Sequence, residues 1–145
     1  MMTKRISQWL GLVIATSFAV LAGCQTMAPM MGEQTVALSG ANEVPPVTTT
    51  ASGTAKVTIK DDRSVKVEVT VSGMTPTASH IHMGAVGVNG PVIVPFTKTG
   101  DNTFASSDGA KLTEEQYAAY KAGNLYVNVH SAKNPGGEIR GQIKG

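Results

Sequence analysis

Cysteine is almost missing from this sequence, in which Cys24 is the only one among 145 residues. A single cysteine cannot form a disulfide within the chain, so disulfide-rich scaffolds are excluded as a fold class. In an exported protein a lone thiol is unusual unless it is modified, and the position of Cys24 therefore calls for an explanation.

Clustered basic charge is also missing. Twelve Lys and Arg residues stand against ten Asp and Glu residues, and the basic residues are scattered among the acidic ones. Proteins that bind nucleic acid or anionic lipid head groups use a concentrated patch of basic residues, and the scattered charges of this chain do not form one. Aromatic residues make up 5% of the chain, too few for a stacking surface. We therefore expect no nucleic-acid partner.

Long apolar runs are confined to the N-terminal region. Lys4 and Arg5 precede an apolar run over residues 9–20, which is shorter than the roughly 20 residues of a typical membrane-spanning helix. The pattern predicts a signal peptide over residues 1–23. Removal of Lys4 and Arg5 takes the basic residues from twelve to ten, against ten acidic residues. The mature protein is therefore close to neutral.

The end of this segment, Leu21-Ala22-Gly23-Cys24, resembles the lipobox of bacterial lipoproteins. The resemblance implies that the chain is cut before Cys24 and that a lipid on Cys24 anchors it to a membrane, in an extracytoplasmic location. Gln25 stands where an aspartate would resemble an inner-membrane retention signal. An outer-membrane anchor facing the periplasm is therefore favoured in a Gram-negative source. An ordinary secretory signal and an uncleaved anchor are the alternatives.

Residues 24–34 show no periodicity and predict a lipidated cysteine followed by a flexible tether. The tether contains Met27, Met30 and Met31, whose thioethers suit Cu(I), although short tethers often carry such residues without a function. The remaining residues, 35–144, have the length of one domain.

Apolar and polar residues alternate through much of this domain. The clearest case is 64–72, where Val65, Val67, Val69 and Val71 are separated by polar residues. Such one-sided strands are typical of an antiparallel sheet with one solvated face. Further strands are predicted at 35–38, 53–60, 78–83, 92–96, 103–106, 125–130 and 138–144.

One short connector helix is predicted near 113–122, where Thr113 and Gln116 have the spacing of a capping box. Seven or eight short strands with one helix predict an all-β fold, an antiparallel Greek-key β-sandwich or barrel similar in outline to superoxide dismutase.

Four segments resemble, in order, the motifs of the CHRD domain, a module named from chordin and found in bacterial exported proteins. They are LSGANEVPP at 38–46, HIHMGAVGVNGP at 80–91, GNLYVNVH at 123–130 and NPGGEIRGQ at 134–142. The resemblance covers 35–144 and implies an extracytoplasmic β-rich domain without a catalytic residue set. We therefore expect a binding or scaffold module of the cell envelope, with an envelope or extracellular protein as partner, and not an enzyme.

The three histidines are the residues best suited to chemistry. His80 and His82 lie on one face of a strand because side chains alternate, and His130 is predicted on the outward face of a later strand with Tyr126 and Asn128. If the two strands are neighbours, three imidazoles converge, a set that one copper or zinc ion accepts. The alternative function is therefore mononuclear, copper-type metal binding. A dinuclear site like that of superoxide dismutase requires more histidines.

A polar network is the second interpretation of these residues. Glu43, Asn128 and Glu138 are candidates to orient the ring nitrogens, and Arg140 shares a strand face with Glu138. In this interpretation the histidines lock the loops at 42–46 and 85–91 without a metal ion. Neither a nucleophile elbow nor a phosphate-binding loop accompanies them.

Overall fold

The computed structural model describes residues 32–145. The predicted signal peptide at 1–23, the predicted lipidation site Cys24 and the predicted tether as far as residue 31 lie outside the described residues. Across residues 32–145, no helix combines the length and the apolar character that are needed to cross a bilayer.

Eight strands and one α-helix form the described part of the chain. The strands are β1 (Glu33–Ser39), β2 (Ser52–Ile59), β3 (Val65–Ser72), β4 (Pro76–Met83), β5 (Val92–Gly100), β6 (Thr103–Ser106), β7 (Leu125–Ser131) and β8 (Ile139–Ile143), and helix α1 (Glu114–Lys121) lies between β6 and β7. The predicted strands and the predicted helix are confirmed. The largest difference in bounds is in β5, which continues to Gly100.

The strands close into an antiparallel barrel in the order β1-β2-β3-β6-β5-β4-β7-β8. Strands β4, β5 and β6 follow one another as hairpins, while β3 pairs with β6 and β7 pairs with β4. A strand that returns beside a three-strand meander is the Greek-key arrangement. The barrel closes where Ser39 of β1 pairs with Arg140 of β8. The predicted all-β Greek-key fold is therefore confirmed, and of the two predicted architectures, sandwich and barrel, the structure has the closed barrel.

The core fills the barrel interior with the inward side chains of each strand. In β3 the valines at 65, 67, 69 and 71 are all buried, and the polar residues between them are exposed. Burial of each valine side chain contributes roughly 1.5–3 kcal/mol. The alternation therefore fixes which face of β3 points inward, as the sequence predicted.

Helix α1 begins and ends with capping motifs. The Thr113 hydroxyl accepts a hydrogen bond from the Gln116 N–H, and the Thr113 N–H donates to the Gln116 side chain, which completes the predicted capping box. At the other end Gly123 has φ +75°, and the N–H groups of Gly123 and Asn124 donate to the carbonyls of Tyr120 and Ala119. These two bonds form a Schellman motif that ends the helix.

Strand β7 is buried on both faces, which differs from the one-sided pattern predicted for the domain. Leu125, Val127 and Val129 face the core as predicted, but Tyr126 and Asn128 on the opposite face are each only 2% exposed. The loop at 84–91 covers this outer face, because Arg140 on the neighbouring strand donates hydrogen bonds to its carbonyl groups. The covered face forms a second, polar interior.

Candidate metal centre

Strands β4 and β7 bring the three histidines together. The antiparallel register pairs His80 with Asn128 and Ala78 with His130, so His130 lies diagonally across from His80. His80 and His82 are two residues apart and share a face, as predicted from the side-chain alternation. The centroid of the His80 ring lies 4.9 Å from that of the His130 ring and 5.5 Å from that of the His82 ring. The three imidazoles therefore form one cluster.

Backbone carbonyls fix the orientation of two rings. His82 Nδ1 lies 2.8 Å from the Gly90 carbonyl oxygen, and His130 Nδ1 lies 2.8 Å from the Pro135 carbonyl oxygen. A carbonyl only accepts hydrogen bonds, so each Nδ1 carries a proton. His82 Nε2 is then left with a free lone pair, whereas His130 Nε2 accepts a hydrogen bond from His80 Nδ1. Histidines that bind a metal ion usually donate the N–H of their other ring nitrogen to a carbonyl or carboxylate in this way.

The distances between the ring nitrogen atoms are close to those found in a metal site. His80 Nδ1 is 3.1 Å from His130 Nε2, and one ligand atom from each of the three histidines lies within 4.8 Å of the others. Nitrogen atoms bound at about 2.1 Å to a tetrahedral ion are about 3.4 Å apart. The most distant ring therefore has to move by roughly 1 Å to bind one ion.

Burial disfavours the protonated form of two of these rings. Burial, with the neighbouring His130 and His82, lowers the pKa of His80 to about 4. Burial also lowers the pKa of His82. Both rings are therefore neutral at neutral pH, which is the state that binds a metal ion. His82 Nε2 is buried and has no hydrogen-bond partner among the described residues.

A stacked column connects His82 with a buried cation. The His82 ring stacks on Tyr126, with centroids 4.9 Å apart and an interplanar angle of 8°, and the Arg140 guanidinium lies 3.4 Å from the centre of the Tyr126 ring. Arg140 is 1% exposed. It donates hydrogen bonds to three acceptors of the covering loop, which are Ala85 O, Val88 O and Asn89 Oδ1.

Glu43 and Asn128 both lie against the position that a side chain on Gly137 would occupy. A Cβ atom on Gly137 would lie 2.6 Å from Glu43 Oε1 and 2.7 Å from Asn128 Nδ2. Glu43 Oε1 and Asn128 Oδ1 are buried, and neither has a hydrogen-bond partner among the described residues. Burial raises the pKa of Glu43 to about 7, although the Arg140 charge and the Val44 N–H oppose the rise.

Glu138 is held away from the histidine rings. Its carboxylate accepts hydrogen bonds from the hydroxyls of Thr49, at 2.6 Å, and Ser131. Arg140 is not in a contact ion pair, because the two ion pairs of residues 32–145 are Arg63–Glu114 and Lys66–Glu68. The Nδ1 atoms of His82 and His130 are held by backbone carbonyls. Glu43, Asn128 and Glu138 were the side chains predicted to orient the rings, and Arg140 was predicted to join their polar network.

Sequence reasoning did not assign a role to the Gly90 and Pro135 carbonyls or to the Tyr126 ring. Carbonyl groups carry no side-chain signal, and their positions depend on how the loops fold back over the barrel. Tyr126 did have a signal, because the alternation of β7 places it on the same face as His130. An aromatic residue on a histidine-bearing face is a sign of ring stacking.

The comparison with known families gives one match. The family model described as CHRD domain matches residues 34–143, which is 110 of the 145 residues. No curated protein and no solved structure matches the chain. The matched range begins with β1, ends with β8 and includes all three histidines.

Proposed function

The chain belongs to the CHRD domain family, and from that premise we propose that it is a binding and scaffold module anchored in the cell envelope. A lipid on Cys24 holds it at a membrane, and the barrel presents its loops to an envelope or extracellular protein. The observation that carries the anchoring is the lone cysteine at the end of a lipobox-like segment. The module binds its partner and does not catalyse a reaction.

The covering loop supports the choice of a protein partner. Val86, Val88 and Val92 are 78%, 52% and 47% exposed, and they are the large hydrophobic side chains exposed on the described residues. Apolar side chains that cluster on a polar surface are typical of a protein contact. A partner that covers these valines would remove apolar surface from water.

Detergent partition tests the anchor. In a bacterial host the wild-type chain should enter the detergent phase with the mass of a mature protein that begins at a lipidated Cys24. The Cys24→Ser variant should remain in the aqueous phase, because stable membrane attachment requires the acyl chains. Equal partition of the two proteins would refute the anchor. In a Gram-negative host the wild-type protein should be found in the outer-membrane fraction, and the Gln25→Asp variant should be found in the inner-membrane fraction.

Cross-linking and pull-down from envelope material tests the partner. The double variant Val86→Ser and Val88→Ser should lose the captured protein, since it removes the exposed apolar side chains. The matched control is Asp101→Ser with Asn102→Ser in the turn between β5 and β6, which should capture the same protein as the wild type. Capture that is equal in both double variants would show that the covering loop is not the contact.

A second candidate function is mononuclear metal binding of the copper type, with zinc as the other candidate ion. The observation that favours it is the convergence of three imidazoles, two of which have Nδ1 held by a backbone carbonyl. Three imidazoles are a ligand set that Cu(II) and Zn(II) both accept, and the general order of affinities favours copper.

Calorimetric titration of residues 24–145 carrying Cys24→Ser tests this function, because the substitution removes the competing thiol. One Cu(II) or Zn(II) ion per chain is expected. His82→Ala should weaken binding by more than the roughly 10–100-fold that loss of an outer partner costs. Lys133→Ala, an exposed change near His130, is the control and should bind like the wild type. Equal binding by the His82→Ala variant would rule out the three-histidine site.

A further inference from the structure

The histidine cluster supplies ligands without negative charge. The three imidazoles bind a metal ion in their neutral form. Within residues 32–145, the group of potential metal ligands that converges here consists of His80, His82 and His130, with no carboxylate among them. The acidic side chains nearby have other contacts: Glu138 accepts hydrogen bonds from Thr49 and Ser131, and Glu43 lies against Gly137. A bound divalent ion would therefore keep its full charge.

The surroundings of the cluster add further positive charge. Arg140 is buried and is joined to His82 through the Tyr126 ring. Its hydrogen-bond acceptors are two carbonyls and an amide oxygen, all uncharged. Charges in a protein interior interact several times more strongly than in water. Glu43 offsets part of the Arg140 charge, but it is not among the groups that converge on the ion, so the ion itself has no anionic ligand from these residues.

One side of the cluster is accessible to solvent. His82 is buried, whereas His80 and His130 are partly exposed. Three protein ligands leave a tetrahedral ion with one position to fill, as in zinc sites that exchange a water or a substrate. A ligand at this position can reach the ion from the side of His80 and His130.

We propose that a divalent ion held by His80, His82 and His130 takes a small anion from solution as its fourth ligand. This inference rests on the metal-binding function proposed above. Chloride, hydroxide and azide belong to the chemical class that fits, because each is compact and brings the negative charge that the imidazoles lack. A neutral water molecule would leave the ion without any negatively charged ligand.

The test is an azide titration of the Cu(II)-loaded protein, again residues 24–145 with Cys24→Ser. The copper signal in electron paramagnetic resonance and the absorption spectrum should change in a saturable way, with a new azide-to-copper charge-transfer band. Chloride should compete with azide and raise its apparent Kd. Both results would support an exchangeable anion site.

The Asn128→Asp variant sharpens the test. Asp has nearly the shape of Asn, and residue 128 pairs with His80 across the two strands, so the change brings a carboxylate to the cluster. Azide affinity, measured on the copper-loaded fraction of each protein, should fall about tenfold or more, since a fixed negative charge repels the incoming anion. Asn102→Asp in the turn between β5 and β6 is the control and should leave azide affinity unchanged.

The outcomes separate the two proposals. Copper binding with no spectral response to azide would overturn the anion ligand and leave metal binding intact. Absence of copper binding would overturn both. If Asn128→Asp fails to give a cooperative thermal transition, the wild-type titration with azide and chloride decides the question.

Discussion

Gly137 lies where a side chain would collide with the buried polar interior. Its φ of +127° is a conformation that L residues rarely adopt, and a Cβ would meet Glu43 Oε1 and Asn128 Nδ2. We expect Gly137→Ala to lower the free energy of unfolding by about 2 kcal/mol or more, measured by chemical denaturation. Gly136→Ala is the matched control, because nothing lies within 4 Å of its Cβ position. Equal losses in the two variants would contradict this prediction.

Glu43 makes stability depend on pH in a defined direction. Its folded-state pKa of about 7 lies above the ordinary 4.5, so the folded protein binds this proton more tightly than the unfolded chain does. The resulting stability is present in full below pH 4.5 and is lost as the pH rises through 7.

Glu43→Gln should therefore raise the free energy of unfolding by about 1–3 kcal/mol at pH 8 and by nothing at pH 4. Thermal melts across this range measure the difference. The exposed Glu68→Gln should show no such trend. A constant difference between the Glu43→Gln variant and the wild type at all pH values would mean that Glu43 does not titrate in this window.

The sequence predicted which residues form the cluster, but it did not predict how they are held. Side-chain alternation placed His80, His82 and His130 outward, and the order of the predicted strands left open whether the strands were neighbours. The carbonyls of Gly90 and Pro135 come from loops, where the chain carries no periodic signal. Their positions follow from tertiary packing, which the alternation of side chains does not encode.

Among the elements, helix α1 depends most on local sequence, because none of its residues is fully buried. Thr113→Ala removes the side-chain acceptor of the capping box and should cost about 1 kcal/mol, whereas Thr113→Ser should restore most of it. Hydrogen exchange of the amides of the first turn measures this local effect. Equal protection in the Ala and Ser variants would show that the hydroxyl contributes nothing to the helix.

The strands with one apolar and one polar face were predicted best. Their alternation reports which face meets the core, as in β3. The extension of β5 to Gly100 could not be predicted in this way, because Thr97 to Gly100 are all exposed and carry no apolar signal. Pairing with β6, in which Lys98 lies opposite Phe104, makes these residues part of the strand.

At the scale of the whole molecule, β8 closes the barrel between β1 and β7. A chain ending after Gly137 would expose the edges of both neighbours and would lack Arg140, which holds the covering loop. Unpaired strand edges associate with other chains. We expect this truncation to aggregate in size-exclusion chromatography and light scattering.

A chain ending after Ile143 is the control for this truncation. It keeps all of β8 and loses the hydrogen bonds of Lys144 with Gln34 and the packing of Gly145 against the end of helix α1, so it should remain monomeric to the same extent as the full domain. A soluble, folded chain ending after Gly137 would show that closure by β8 is dispensable.

The choice between a sandwich and a closed barrel was beyond the sequence pattern. Both architectures use the same alternating strands, and they differ in whether the first and last strands pair. That pairing joins residues about a hundred positions apart, Ser39 with Arg140, and depends on the twist of the whole sheet.

The pairing of the first strand with the last also determines when folding can finish. Strand β1 is synthesised first, yet its second neighbour is the last strand of the chain, and contacts between such distant segments form slowly. Until residues 139–143 have been synthesised, the covering loop has no Arg140 to bind. Strand β7, which carries His130, then also lacks one of its two neighbouring strands. Any factor that handles the chain from its N terminus therefore meets an unclosed barrel until β8 has been synthesised.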